Sequence, residues 1–130
     1  MKKKSEGFTL LEIIIVVIII GILATLGFIQ YSKLIEKSRA AEAKRALGEI
    51  SRAQVAYSEE YGAYATDFAN LSVVAPSSCT STHYFSYSGD DTAATATRCS
   101  TGGKPPDPSE SYTITLNYSS GEFGGSPGYY

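Results

Sequence analysis

Residues 8–29 read FTLLEIIIVVIIIGILATLGFI, and this stretch decides the fold. It is an almost unbroken run of Ile, Leu, Val and Phe, with one carboxylate, Glu12, near its beginning. As an α-helix at ~1.5 Å per residue it would extend about 33 Å, close to the hydrocarbon thickness of a bilayer. A soluble core helix would carry a charged or polar face, and this run carries none. The stretch therefore reads as a membrane span, or as a helix that leaves the membrane only to be buried among other helices.

Glu12 is the informative residue. A carboxylate in hydrocarbon is costly, and an intramembrane ionisable group is functional by default. It either marks the membrane interface or awaits a cationic partner. The segment in front of it, MKKKSEG, is short, basic and polar, and ends at Gly7. A secretory signal would have an apolar run of about 7–15 residues followed by a small-x-small cleavage site. Here the run is too long and no such site follows it. Gly7 is the small residue placed for cutting, in front of the run. Cleavage there would leave the span in the mature chain, beginning with a free α-amine on Phe8.

The string Gly7-Phe8-Thr9-Leu10-Leu11-Glu12 before an aliphatic run resembles the prepilin motif of bacterial type IV pilins and of the related type II secretion pseudopilins. The resemblance covers Lys2 to about Tyr31 closely, and Tyr57 to Tyr64 more loosely. It implies that a membrane prepilin peptidase cuts after Gly7 and methylates the new Phe8 amine. It further implies a precursor held in the inner membrane by a single span. Pilus assembly machinery would then draw that precursor into a homopolymeric filament, with Glu12 paired to the Phe8 amine of a neighbouring subunit. Such pairing would also set the axial register, because any other stagger leaves a charge unpaired. Related pilins often carry a proline near the end of the run; here that position is Ile29. Gly21 and Gly27 interrupt the run instead. They read either as ordinary membrane-helix glycines or as soft points where the helix can melt in a filament.

Charge supports an exported chain. The formal net charge is −2; removing the leader, with its net two positive charges, would take it to −4. That balance argues against direct nucleic-acid binding, which needs clustered Lys and Arg. Lys2, Lys3 and Lys4 read as the positive-inside signal that keeps the start in the cytoplasm and sends the bulk across. Cys79 and Cys99 both lie in the exported part, where such a pair is usually a disulfide, with two free buried thiols as the alternative. His83 is the single histidine, so neither a metal site nor a Ser/His/Asp arrangement is supported. No cofactor, no metal and no enzyme activity are expected.

After Gln30 the composition changes. Lys33, Glu36, Lys37, Arg39, Glu42, Lys44, Arg45, Glu49 and Arg52 enter, with frequent Ala and no Pro, so the helix is expected to continue as an amphipathic one. Its apolar stripe reads Leu34, Ile35, Ala46, Leu47, Ile50, Ala53, Tyr57 and Tyr61. The small, polar part from Ser38 to Ala43 is expected to face other subunits or to form a thin neck. Gly62 suits the left-handed cap after the last turn, so one helix over 8–61, about 80 Å long, is expected. Tyr57, Tyr61 and Tyr64 read as domain core with their hydroxyls at the edge.

Beyond it, Pro, Gly, Ser and Thr dominate. Asp67, Phe68 and Leu71 suggest a helical turn. Strands are expected at Tyr84–Ser88, Thr95–Cys99 and Tyr112–Tyr118, with a short one from Phe123. Asp90, Asp91 and Asp107 read as turn residues rather than calcium ligands. So few strands need a partner surface, and Leu47 to Tyr61 offers one. The expected fold is α+β, the pilin fold. Its long N-terminal helix is transmembrane in the first half, amphipathic in the second, and packed against a small C-terminal antiparallel sheet. The expected divisions are a leader (1–7), the helix (8–61, with 8–29 as span) and a β domain (62–130). The functional expectation is a pilus subunit, carried to an extracellular filament that serves adhesion, motility or DNA uptake. A pseudopilin or minor pilin, and a single-span protein displaying a binding domain, are the alternatives.

Overall fold

The computed structural model describes residues 6–130; Lys2, Lys3 and Lys4, and with them most of the leader, lie outside the described residues. One helix, α1 (Leu10–Tyr61), is followed by a 3-10 turn (Phe68–Asn70) and four strands: β1 (Phe85–Gly89), β2 (Ala93–Arg98), β3 (Thr113–Asn117) and β4 (Phe123–Gly125). The chain divides into two compact units, Met1–Glu36 and Lys37–Tyr130, and α1 contributes to both.

In the first unit, α1 runs without a break through Gly21, Gly27 and Ile29. Its aliphatic side chains from Leu10 to Leu34 are exposed, and Ile35 is half-buried. The hydroxyls within it return to the helix itself: Thr25 Oγ1 donates to the Gly21 carbonyl at 2.6 Å, and Ser32 Oγ to Phe28 at 3.0 Å. Such back-bonding satisfies a hydroxyl where no water competes. The helix starts at Leu10 rather than Phe8, because Thr9 takes the capping position described below.

In the second unit, α1 buries Ala40, Ala43, Leu47, Ile50 and Gln54. Their spacing alternates three and four residues, which places them in one stripe. This corrects two expectations. Ala40 and Ala43 are fully buried, so Ser38–Ala43 is neither a bare neck nor wholly a face for other subunits. At the two ends of the expected stripe, Leu34 is 66% exposed and Tyr61 63% exposed. Tyr61 lies against Tyr57 instead, with ring centroids 4.5 Å apart. Tyr57 and Tyr64 do pack onto the core from its margin.

The strands form one antiparallel meander in the order β1-β2-β3-β4. Alternation decides its faces. Phe85 and Tyr87, Ala94 and Ala96, and Ile114 and Leu116 point inward, while Thr95, Thr97, Thr113 and Thr115 occupy the more exposed positions between them. The inward residues join the buried residues of α1 in one hydrophobic cluster.

Local chemistry closes the turns. Asp90 Oδ1 accepts from the Thr92 amide, the Thr92 hydroxyl and the Ala93 amide, turning β1 into β2. Asn117 Oδ1 accepts from Ser119 and Ser120 between β3 and β4. Gly62 ends α1 at φ +78°, its amide donating to the Ser58 carbonyl at 2.8 Å. Gly125 sits at φ +117°, and a Cβ there would collide with the Thr113 carbonyl oxygen.

Candidate functional site

The residues singled out by sequence gather at the start of α1. Gly7 and Phe8 precede the helix, and Phe8 is 86% exposed. Glu12 falls in the first turn. Its Oε2 accepts two hydrogen bonds from Thr9, one from the backbone amide at 2.8 Å and one from the hydroxyl at 3.0 Å. The Thr9 hydroxyl oxygen in turn accepts from the Glu12 amide at 3.2 Å. This is a reciprocal capping box, which satisfies amides that the helix start otherwise leaves unpaired. The Glu12 side chain also sits where the helix dipole favours an anion.

Both bonds use one carboxylate oxygen. Oε1 makes no hydrogen bond among the described residues, so Glu12 is held in position with one oxygen still able to accept. Around it, Phe8, Ile13, Ile15 and Val16 wall a groove of about 290 Å³ in which Glu12 is the charged member. The capping box was legible in the sequence as Thr9-x-x-Glu12. Reading Glu12 only as a carboxylate awaiting a cation overlooks it.

The apolar part of α1 is covered by no described residue. By length and composition it can cross a membrane. At Gly21 and Gly27 no heavy atom outside the local helix lies within 4 Å of where a Cβ would sit. The packing of a single chain therefore does not require glycine at either position.

Elsewhere, Cys79 and Cys99 are disulfide-bonded, with Cα atoms 5.8 Å apart. The bond ties the loop before β1 to the residue after β2. Beside it lies a group that sequence reasoning missed. Arg98 is 1% exposed, and its guanidinium donates to the carbonyls of Tyr84, Cys99 and Pro106 at 3.0–3.1 Å. It also lies over the rings of Tyr84 and Phe85. Alternation within β2 points position 98 inward, but nothing local indicates which carbonyls will meet it. Among the described residues no three His, Cys, Asp or Glu side chains gather in a way that could hold a metal ion.

Residues 40–120 match the family described as "Type IV pilin-like G and H". Residues 2–28 match the prokaryotic N-terminal methylation motif. The chain is 41% identical over 73 residues to the type IV major pilin protein PilA of Myxococcus xanthus strain DK1622, a match covering 56% of this chain and 33% of that protein. It is 42% identical over 48 residues to a "probable minor fimbrial protein" of Dichelobacter nodosus, covering 37% of this chain and 30% of the other. The chain thus spans about a third of the length of the curated relatives it matches.

Proposed function

Since this chain belongs to the type IV pilin-like family, we propose that it is a structural subunit of a type IV pilus. One observation carries the reading. The methylation motif at 2–28 coincides with the part of α1 whose apolar side chains no described residue covers. Such a surface needs lipid first and other helices afterwards.

In this reading prepilin peptidase cuts between Gly7 and Phe8, and the new Phe8 amine is methylated. Residues 8–29 hold the subunit in the inner membrane as a single-pass precursor. Assembly moves that span from lipid into a bundle of like helices, giving an extracellular filament. Glu12 then faces the Phe8 amine of the neighbouring subunit. Its free Oε1 supports this role, since the capping box already orients the carboxylate. Gly21 and Gly27, which the single chain does not require, are the places where the helix would yield during packing.

A major pilin is the first reading, in line with the Myxococcus relative. The Dichelobacter relative favours a second one, a minor pilin present in few copies. Shearing fibres from cells and sequencing their proteins by mass spectrometry tests both. A methylated Phe8 as first residue and a dominant share of fibre mass are expected for a major pilin. The same terminus at a small share fits the minor one. Fibre protein still beginning at Met1 would end both.

A further inference from the structure

Tyr87 reaches from β1 into the core and is 2% exposed, yet its hydroxyl makes no hydrogen bond among the described residues. A buried hydroxyl is ordinarily paired. Tyr87 also lines a cleft of about 270 Å³ between α1 and the loop before β1. Glu42, Arg45 and Glu49 come from the helix, Thr82 and His83 from the loop.

The two carboxylates are only half engaged. Glu42 Oε1 accepts from the Tyr84 amide at 3.3 Å, and Glu49 Oε1 from Arg45 Nε at 3.2 Å. The second oxygen of each makes no hydrogen bond among the described residues. Burial drives the Tyr87 phenol's pKa upward, and the charges of Glu42 and then Glu49 push it further. The field of both carboxylates therefore reaches the hydroxyl. His83 is anchored at the rim through Nδ1, with the Thr82 hydroxyl at 2.9 Å.

We infer that this cleft is a binding site for an alkylammonium group. An ammonium presents three donors and no acceptor, which suits two open carboxylate oxygens and a phenol oxygen. The lining carries two negative charges against one from Arg45, so a cation is favoured and a carboxylate repelled. Ala46 and Val74 line the same cleft and give an alkyl stem an apolar wall. Among the described residues no third His, Cys, Asp or Glu side chain joins the two carboxylates closely enough to hold a metal ion, so a metal is the poorer fit. A lysine side chain of a second copy and a free amine share this chemistry. The site belongs to the second unit alone, so it stands whether or not the chain polymerises.

The test uses the full chain in detergent micelles, its thermal unfolding followed by circular dichroism. n-Butylammonium chloride is titrated against sodium chloride of equal concentration. Near saturation the butylammonium salt is expected to raise Tm by roughly 5 °C, with no such rise from sodium. Tyr87→Phe, which keeps the ring, and Glu42→Gln should each abolish the rise. No rise in the unaltered chain, or an equal rise in both variants, overturns the inference. Zero-length carboxylate–amine cross-linking then separates the sources. Links from Glu42 or Glu49 to a lysine of another copy, suppressed by butylammonium, assign the site to a second copy. Absence of links with the Tm rise intact assigns it to a free amine.

Discussion

Glu12 receives both hydrogen bonds that Thr9 can donate, through a single carboxylate oxygen. The consequence is an acid that is oriented by its own chain yet half open to another. Thr9→Val removes the hydroxyl and with it the cap, leaving Glu12 freer to rotate. Sheared-fibre yield is expected to fall, and Thr9→Ser to restore most of it, because serine keeps the hydroxyl. Glu12→Ala is expected to lose fibres altogether while leaving precursor in the membrane. Normal fibre yield from Glu12→Ala would refute the charge-pairing role.

Gln54 does for the chain reversal what Thr9 does for the helix start. It is fully buried in α1, and its amide closes on both backbone groups of Ala65: Nε2 donates to the carbonyl at 2.8 Å and Oε1 accepts from the amide at 2.7 Å. Gln54→Leu keeps the volume but orphans two buried polar groups. A loss of about 2–4 kcal/mol is expected, read as a lower Tm of the full chain in micelles. A change below the scatter of surface variants would show that Ala65 finds other partners.

Ala43 has no exposed surface and belongs to the cluster that joins α1 to the inward face of the sheet. Ala43→Leu should therefore overpack the contact and cost about 1–3 kcal/mol, whereas Ala41→Leu, two positions back on the exposed side, should be near neutral. Equal effects in chemical unfolding would contradict the burial of this face.

Two groups set opposite limbs of the stability–pH profile. The phenol of Tyr87 is raised by burial and by Glu42 and Glu49, so the folded state keeps a proton that the unfolded chain gives up near pH 10. Its contribution is fully present below that pH and is lost as the pH rises further. Tyr87→Phe should move the alkaline unfolding midpoint upward, followed by tyrosinate absorbance. The Asp90 carboxyl is held below its ordinary range by the Thr92 hydroxyl and the Thr92 and Ala93 amides. Its contribution is present above the ordinary carboxylate pKa and is lost as the pH falls through the lowered one. Asp90→Asn should therefore shift the acid unfolding midpoint, followed by circular dichroism.

Much of this protein was written in residue types along the chain. The length and purity of 8–29 determined a helix long and apolar enough to cross a membrane, the motif around Gly7 and Glu12 pointed to the family, and Gly62 marked where α1 stops. Alternation at Tyr112–Tyr118 determined β3. These signals are local, since each depends on a segment's own period or backbone preference. What only the tertiary structure decided was which part of a uniform helix is covered. Ala40 and Ala43 look no different from Ala41 until the sheet returns to one side of them. The burial of Gln54 and Arg98 has no local signal, because a polar side chain can be buried only when a carbonyl or amide from far along the chain arrives to meet it. That arrival depends on the path of Ala65 and of Tyr84, Cys99 and Pro106, which no neighbouring residue encodes.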